Sequence, residues 1–225
     1  MKKIIIAIDG PAASGKSTTA KLLARKIGYV HLDTGAMYRA CALAAKRHQT
    51  NIDDPSQIMK IMSDIKIDIQ YSNNGNLIFL DGEDVSEEIR EPDISRLASA
   101  ISAKRHVREK MVELQRELGK SGGVIVDGRD IGTVVFPNAE LKFFMIAPLE
   151  IRAQRRYQEL LANNKKANFQ EVLRELKERD LADSSRVLAP LVPAKDAIQI
   201  DTGDLSIDEQ VDLLYGYYQN LMVGS

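Results

Sequence analysis

The sequence predicts an α/β fold in which helices cover both faces of a central parallel sheet. Two patterns carry that expectation. Apolar, β-branched runs alternate with helical patterns along the chain, and the runs lack polar alternation, as strands buried on both faces should. One segment alone shows strict period-two patterning, which marks a small antiparallel insert. With 225 residues, 44% of them hydrophobic, the chain has ample material for one core and reads as a single domain, 1–225.

The first strand is predicted from Lys3 to Ile8, around the run Ile4-Ile5-Ile6-Ala7-Ile8. A glycine-containing loop follows, then Ser17-Thr18-Thr19 opens a helix through Leu22, Leu23 and Ile27 that Gly28 closes. Tyr29-Val30-His31 is a shorter strand candidate. The alternating segment is Ile65-Lys-Ile-Asp-Ile-Gln-Tyr71, and Leu77-Ile-Phe-Leu80 comes after Asn73-Asn74-Gly75-Asn76, a set of turn residues that predicts a hairpin. Asp81-Gly82 offers a second turn and hence a third short strand, so the insert spans about residues 62–95. Val124 to Val126, Leu141 to Ile146 and Ala197 to Ile200 complete the core strands. The closing helix, from about Ser206 to Met222, carries Val211, Leu214, Tyr215 and Tyr218 on one face.

A formal charge of -1, from 31 basic and 32 acidic residues, supplies no general field for a nucleic-acid polymer or an anionic membrane, so any affinity for phosphate must be local. No 18-residue apolar stretch is present, and Met1-Lys2-Lys3 enters the first strand at once, so a cytoplasmic protein without a membrane partner is expected. Cys41 is the sole cysteine and reads as a small core residue. His31, His48 and His106 lack ligand spacing.

The loop after the first strand, Gly10-Pro11-Ala12-Ala13-Ser14-Gly15-Lys16-Ser17, matches G-x-x-x-x-G-K-[ST] between a buried strand and an amphipathic helix, the context in which that pattern has physical meaning. Glycines let backbone N–H groups turn onto a polyphosphate, and the helix N-terminus, with Thr18 in its first turn, adds its positive dipole end. Lys16 should meet the β and γ phosphates and Ser17 should hold Mg²⁺. The loop is expected to be exposed and its lysine free for ligand; the bland alternative is a glycine-rich turn with a solvated lysine. The loop alone does not separate a motor ATPase, a GTPase switch and a small-molecule kinase, but the N-K-x-D and D-x-x-G patterns of GTPases are missing. A second set of cations stands instead beside compact motifs: Arg39, Arg108, Arg129 and Arg186, with Arg152, Arg155 and Arg156 at i, i+3, i+4 on one helix face.

Asp33-Thr-Gly-Ala-Met-Tyr-Arg39, Val126-Asp-Gly-Arg-Asp-Ile-Gly-Thr-Val-Val-Phe-Pro137 and Arg186-Val-Leu-Ala-Pro-Leu-Val-Pro193, in this order after the loop, closely resemble the bacterial cytidylate kinase family over nearly the whole chain. The resemblance implies a P-loop nucleoside monophosphate kinase fold, with a core parallel sheet, the inserted monophosphate-binding region and an arginine-rich lid at about 152–186. It implies transfer from ATP, with Mg²⁺, to CMP or dCMP, a step of pyrimidine metabolism, by an enzyme expected to be a monomer. Arg39, Arg129 and Arg186 would hold the acceptor phosphate; Asp130, Arg108 and Ser99 would read cytosine; Arg179 and Asp183 would bind the ribose. Thr34 and Tyr38 belong to the same CMP side, although Tyr38 reads equally well as a core tyrosine. Lys16, Arg129, Arg186 and Arg156 would carry catalysis, and Arg152 and Arg155 would approach ATP. Asp127 either assists Mg²⁺ through water or orients Arg129. Two other readings stay open: a kinase for a small hydroxylated metabolite, whose acceptor-side arginines would bind a carboxylate, and a nucleotide-dependent switch that needs only the loop.

Overall fold

The computed structural model describes residues 3–71, 76–163 and 165–224. The chain runs β1 (Ile5–Asp9), α1 (Lys16–Ile27), β2 (Val30–Asp33), α2 (Thr34–Arg47), α3 (Pro55–Asp64), β3 (Ile67–Gln70), β4 (Leu77–Leu80) and β5 (Glu83–Asp84). After a 3₁₀ turn at Glu88–Arg90 come α4 (Pro92–Ile101), α5 (Arg105–Gly119), β6 (Val124–Gly128) and a π-helical turn, Ile131–Val135. The chain continues with β7 (Leu141–Ile146), α6 (Leu149–Ala162), α7 (Phe169–Ser184), β8 (Ile198–Asp201) and α8 (Ile207–Val223).

Five strands form one parallel sheet in the order β2-β6-β1-β7-β8. Its faces carry separate cores. One gathers α2, α3 and α5 with the insert around Leu32, Met37, Leu43, Ile58 and Met111. The other packs Leu23 of α1 and Leu214 of α8 against Ile6, Ile8 and Phe143. Burial on both faces is what the uninterrupted β-branched runs required. Cys41 is fully buried in the first core.

The expected strands are present; β4 and β7 keep the predicted ends, and the others are shifted. β1 extends through Asp9 and β6 through Asp127 and Gly128, so acidic side chains stand at the carboxyl edge of the sheet. The register aligns them: Asp33 on β2 lies opposite Asp127, which is beside Ile8, and Asp9 is beside Gly128. Helix termini follow their signals. Gly28 closes α1 in the left-handed region, Asp54 caps α3 ahead of Pro55, and Ser206 with Glu209 forms a reciprocal capping box on α8.

The second sheet, β3-β4-β5, is antiparallel, with Ile67 opposite Leu80 and Gln70 opposite Leu77. The third short strand is Glu83–Asp84, paired with β4. β3 begins later than the alternation predicts because Ile65 terminates α3, its N–H bonding the Ile61 carbonyl. Of the predicted hairpin turn, Asn73-Asn74-Gly75 lies outside the described residues. Ala12 of the loop after β1 packs with Ala153, Val172 and Leu176, which fastens the α6–α7 pair to that loop. Among the described residues no helix is long and apolar enough to cross a membrane.

Candidate active site

At Gly10 the loop between β1 and α1 approaches other backbone so closely that a side chain is excluded. A Cβ on Gly10 would lie 2.2 Å from the Met145 carbonyl oxygen, and Gly15 takes φ +91° with Gln210 Oε1 2.8 Å from where its Cβ would stand. Thr19 donates to that same Gln210 oxygen at 2.8 Å, and Thr202 donates to the Ser14 carbonyl at 2.9 Å, so α8 and the end of β8 brace the loop from behind. Ser17 and Thr18 are exposed at the start of α1. Lys16 differs from expectation. It is buried, and its Nζ donates to the Pro11 carbonyl at 3.0 Å, because the loop curls around its own lysine. Burial, with the Arg129 cation beside it, pulls the Lys16 pKa down to about 7.

Asp127 faces this loop from the end of β6. Its Oδ2 accepts from Ser17 Oγ at 2.5 Å, its Oδ1 is 2.7 Å from His31 Nε2, and its backbone carbonyl accepts from Thr34 Oγ1 at 2.7 Å. The hydrogen bond that holds Arg129 comes from elsewhere. Arg129 donates through Nε to Asp183 Oδ2 at 2.8 Å, since the turn after β6 swings the arginine toward α7. A serine hydroxyl and a carboxylate are hard oxygen donors of the kind that hold Mg²⁺ together with substrate phosphates, and this pair fits that ion.

On the other side of the crevice Arg39, Arg108, Arg129 and Arg186 converge, each beside a carboxylate. Arg39 donates to Asp33 Oδ2 at 3.0 Å, while Asp33 also caps α2 through Ala36 N–H. Burial works upward on the Asp33 carboxyl, but Arg39 and His31 overcome it and leave its pKa lowered. Arg186 lies 3.4 Å from Asp183 Oδ1, so Asp183 joins Arg129 and Arg186. Burial raises the Asp183 pKa, yet these two cations leave it lowered. Arg108 forms a buried ion pair with Asp130, and its guanidinium stands over the Tyr38 ring, 6.0 Å from the centroid. Tyr38 itself is partly buried and packs on the core. Burial pushes the Asp130 carboxyl up despite Arg108 and Arg186. Arg179 is drawn into the cluster, and burial, with Arg129 near, lowers it to about 10.

The three arginines of α6 go separate ways. Arg152 is buried, ion-paired with Asp180 at 2.7 Å and donating to the Ala12 carbonyl at 3.2 Å. Arg155 turns to Thr202 and Gly203 at the end of β8. Arg156 pairs with Glu159 and lies close enough to Arg179 to lower it. Ser99 reaches the cluster through its carbonyl, which accepts from Ser102 Oγ at 2.8 Å.

Sequence reasoning missed Asp9, His31, Asp33 and Ser102. Asp9 is buried and accepts from Ile131 and Gly132 N–H, both at 2.8 Å, which fixes the turn bearing Arg129 and Asp130. Burial pushes its carboxyl up to about 7 against those two donors. Ser102 bridges two arginines, its carbonyl 3.4 Å from Arg108 and its hydroxyl 3.5 Å from Arg186. The one available signal was an aspartate at a strand's carboxyl end, where open α/β sheets carry their ligand crevice.

A parallel sheet with this loop after its first strand, faced by a carboxylate-held arginine cluster, defines a phosphate-loop kinase. The shikimate kinase from Bacteroides thetaiotaomicron shares the fold, with a TM-score of 0.50 over 96% of this chain and 98% of its own at 10% identity. Sequence is more specific. The family model described as Cytidylate kinase matches residues 6–220. The cytidylate kinases of Bacillus thuringiensis (strain Al Hakam) and Bacillus cereus (strain AH187) are each 47% identical over 215 residues, 96% of this chain and 96% of theirs. The chain belongs to the cytidylate kinase family and is an enzyme of that family.

Proposed function

We propose that the protein transfers the γ-phosphoryl group of ATP to CMP or dCMP, giving ADP and CDP or dCDP, in the cytoplasm. The observation that carries this reading is the pairing of a phosphate loop with Arg39, Arg108, Arg129, Arg179 and Arg186 across one crevice. Two anionic groups must be brought together before reaction, and phosphoryl transfer depends mainly on alignment and on neutralising charge. A hydroxyl-activating base has no part here, because the acceptor is itself a phosphate.

Lys16 leaves the Pro11 carbonyl to meet the donor's phosphates, and Ser17 and Asp127 hold Mg²⁺. That ion would supply neutralisation of the donor phosphates' charge. Arg39, Arg129 and Arg186 grip the acceptor phosphate, their carboxylate partners keeping each guanidinium aimed before the ligand arrives. The Arg108–Asp130 pair meets cytosine, the carboxylate accepting from the exocyclic amino group and the guanidinium donating to N3 and O2, a pattern that uracil's N3–H and O4 oppose. Arg179 and Asp183 serve the ribose, with Thr34, Tyr38 and Ser99 around them. Residues 62–95 act as the monophosphate-binding region, and α6–α7, within 152–186, act as the lid. Closure brings Arg156 toward the transferring group and excludes water.

A coupled assay for ADP release with CMP, dCMP, UMP, AMP, shikimate or no acceptor tests the reading. CMP and dCMP should be turned over well above the rest. Turnover of shikimate alone, or equal ADP release without acceptor, would overturn it.

A further inference from the structure

The geometry points to His31 as a positioning residue that sets the Asp127 carboxylate for Ser17 and the divalent cation. The inference rests on the metal reading of Ser17 and Asp127 given above. Asp127 is buried and has two oxygens to satisfy. A carboxylate only accepts, so Nε2 of His31 must carry its hydrogen toward Oδ1 at 2.7 Å. With Oδ1 engaged, rotation about the carboxylate's bond to Cβ is stopped, and Oδ2 is left to face Ser17 Oγ at 2.5 Å.

His31 is itself fixed. It belongs to β2, in register with Ile125, and its carbonyl accepts from Asn76 Nδ2 at 2.5 Å at the entrance to β4. The imidazole is therefore held from its backbone and aimed by strand pairing, as orienting partners of metal ligands commonly are. Without the imidazole, Oδ1 would be a buried acceptor with no donor among the described residues. Lys16 is near enough for the Asp127 charge to influence it, so a released carboxylate could turn toward that ammonium and away from Ser17. The composition of the site gives no hint of this role, since the histidine lies two residues before the Asp33 motif and shows no ligand spacing.

Binding of Mn²⁺ to the intact enzyme with ADP, followed by the spectrum of free Mn²⁺, tests the role without relying on turnover. His31→Leu should weaken Mn²⁺ affinity about tenfold, the lower end of the range for losing an orienting partner. His31→Gln, whose amide nitrogen can stand near the position of Nε2, should bind Mn²⁺ within about threefold of wild type. The KM for Mg²⁺ should follow the same order, while CMP affinity measured by calorimetry without metal stays unchanged in both. His31→Asn, whose amide falls short of Asp127, supplies a second loss variant should leucine disturb the fold. Wild-type Mn²⁺ affinity in folded His31→Leu or His31→Asn protein would overturn the positioning role. Asp127→Asn and Ser17→Ala separate the two ideas: if they weaken Mn²⁺ binding and the His31 variants do not, this inference fails alone. If neither weakens it, the metal reading fails and the role of His31 goes with it.

Discussion

Lys16 is a cation stored inside the protein, with its pKa held near 7 by burial and by Arg129. Its Nζ donates to the Pro11 carbonyl, so an arriving polyphosphate exchanges one neutral acceptor for several charged ones. Lys16→Met should lower kcat/KM by about 10²–10³, as loss of one aligned charge-stabilising donor does, while stability changes by only about 1 kcal/mol. Steady-state kinetics beside thermal melts checks both halves, and near-normal turnover in folded protein would remove Lys16 from the donor site. Asp130 makes the opposite case, because its carboxylate is committed to Arg108 before any ligand binds. Asp130→Asn turns one acceptor oxygen into a donor and strips a buried guanidinium of its counter-charge, a loss of about 3–5 kcal/mol in stability. At a temperature where the variant is folded, kcat/KM for CMP should fall steeply and that for UMP less, narrowing a discrimination that polar-edge recognition can carry to about 10⁴. Equal losses for both substrates would move base reading elsewhere.

At the scale of elements, the strands were legible, and of their acidic ends Asp127 was singled out while Asp9 was not. The runs at Ile4–Ile8, Val124–Val126 and Leu141–Ile146 announce buried strands because nothing polar interrupts them. Asp9 and Asp127 read as the end of such a run, yet both remain in the ladder because backbone and side-chain donors meet them there. The π-helical turn at Ile131–Val135 was illegible for a related reason: its β-branched residues favour strands. It is set instead by Asp9, which takes the N–H groups of Ile131 and Gly132, and by Arg116 of α5, which takes the carbonyls of Val134 and Val135. Pairs such as Arg129 with Asp183, 54 residues apart, have no local signature at all. The Asp9 clasp has a pH signature. Burial pushes its carboxyl up to about 7 from the 3.8 of an ordinary aspartate, so between those values the folded state binds the extra proton. Its contribution to stability is therefore full below about pH 4 and is lost as pH rises through about 7. Melting temperatures from pH 5.5 to 8 should decline more in wild type than in Asp9→Asn, which is less stable throughout but flatter; parallel profiles would show that Asp9 does not titrate in this window.

The whole molecule has a formal charge of -1, so its attraction for nucleotides cannot come from a general field and must reside in the crevice. There the cations outrun what the carboxylates can satisfy. Arg39 Nε and Arg179 Nε are buried and make no hydrogen bond within the protein among the described residues. Each such donor costs about 1–3 kcal/mol while it waits. A monophosphate can meet several of these groups at once, and they come from α2, the turn after β6, and α7, so one ligand ties these elements together. CMP at a hundredfold over its Kd should stabilise the protein by about 2.7 kcal/mol, which for a chain of this size raises Tm by roughly 5–10 °C. The gain should not be local. Because Asp183 of α7 holds Arg129, amide hydrogen exchange should slow along α7 as well as around β6, and Arg129→Met should lose most of both effects. Exchange that slows only around β6, with α7 unchanged, would mean that the acceptor site and the α6–α7 pair are energetically separate, and closure would then have to be driven from the ATP side.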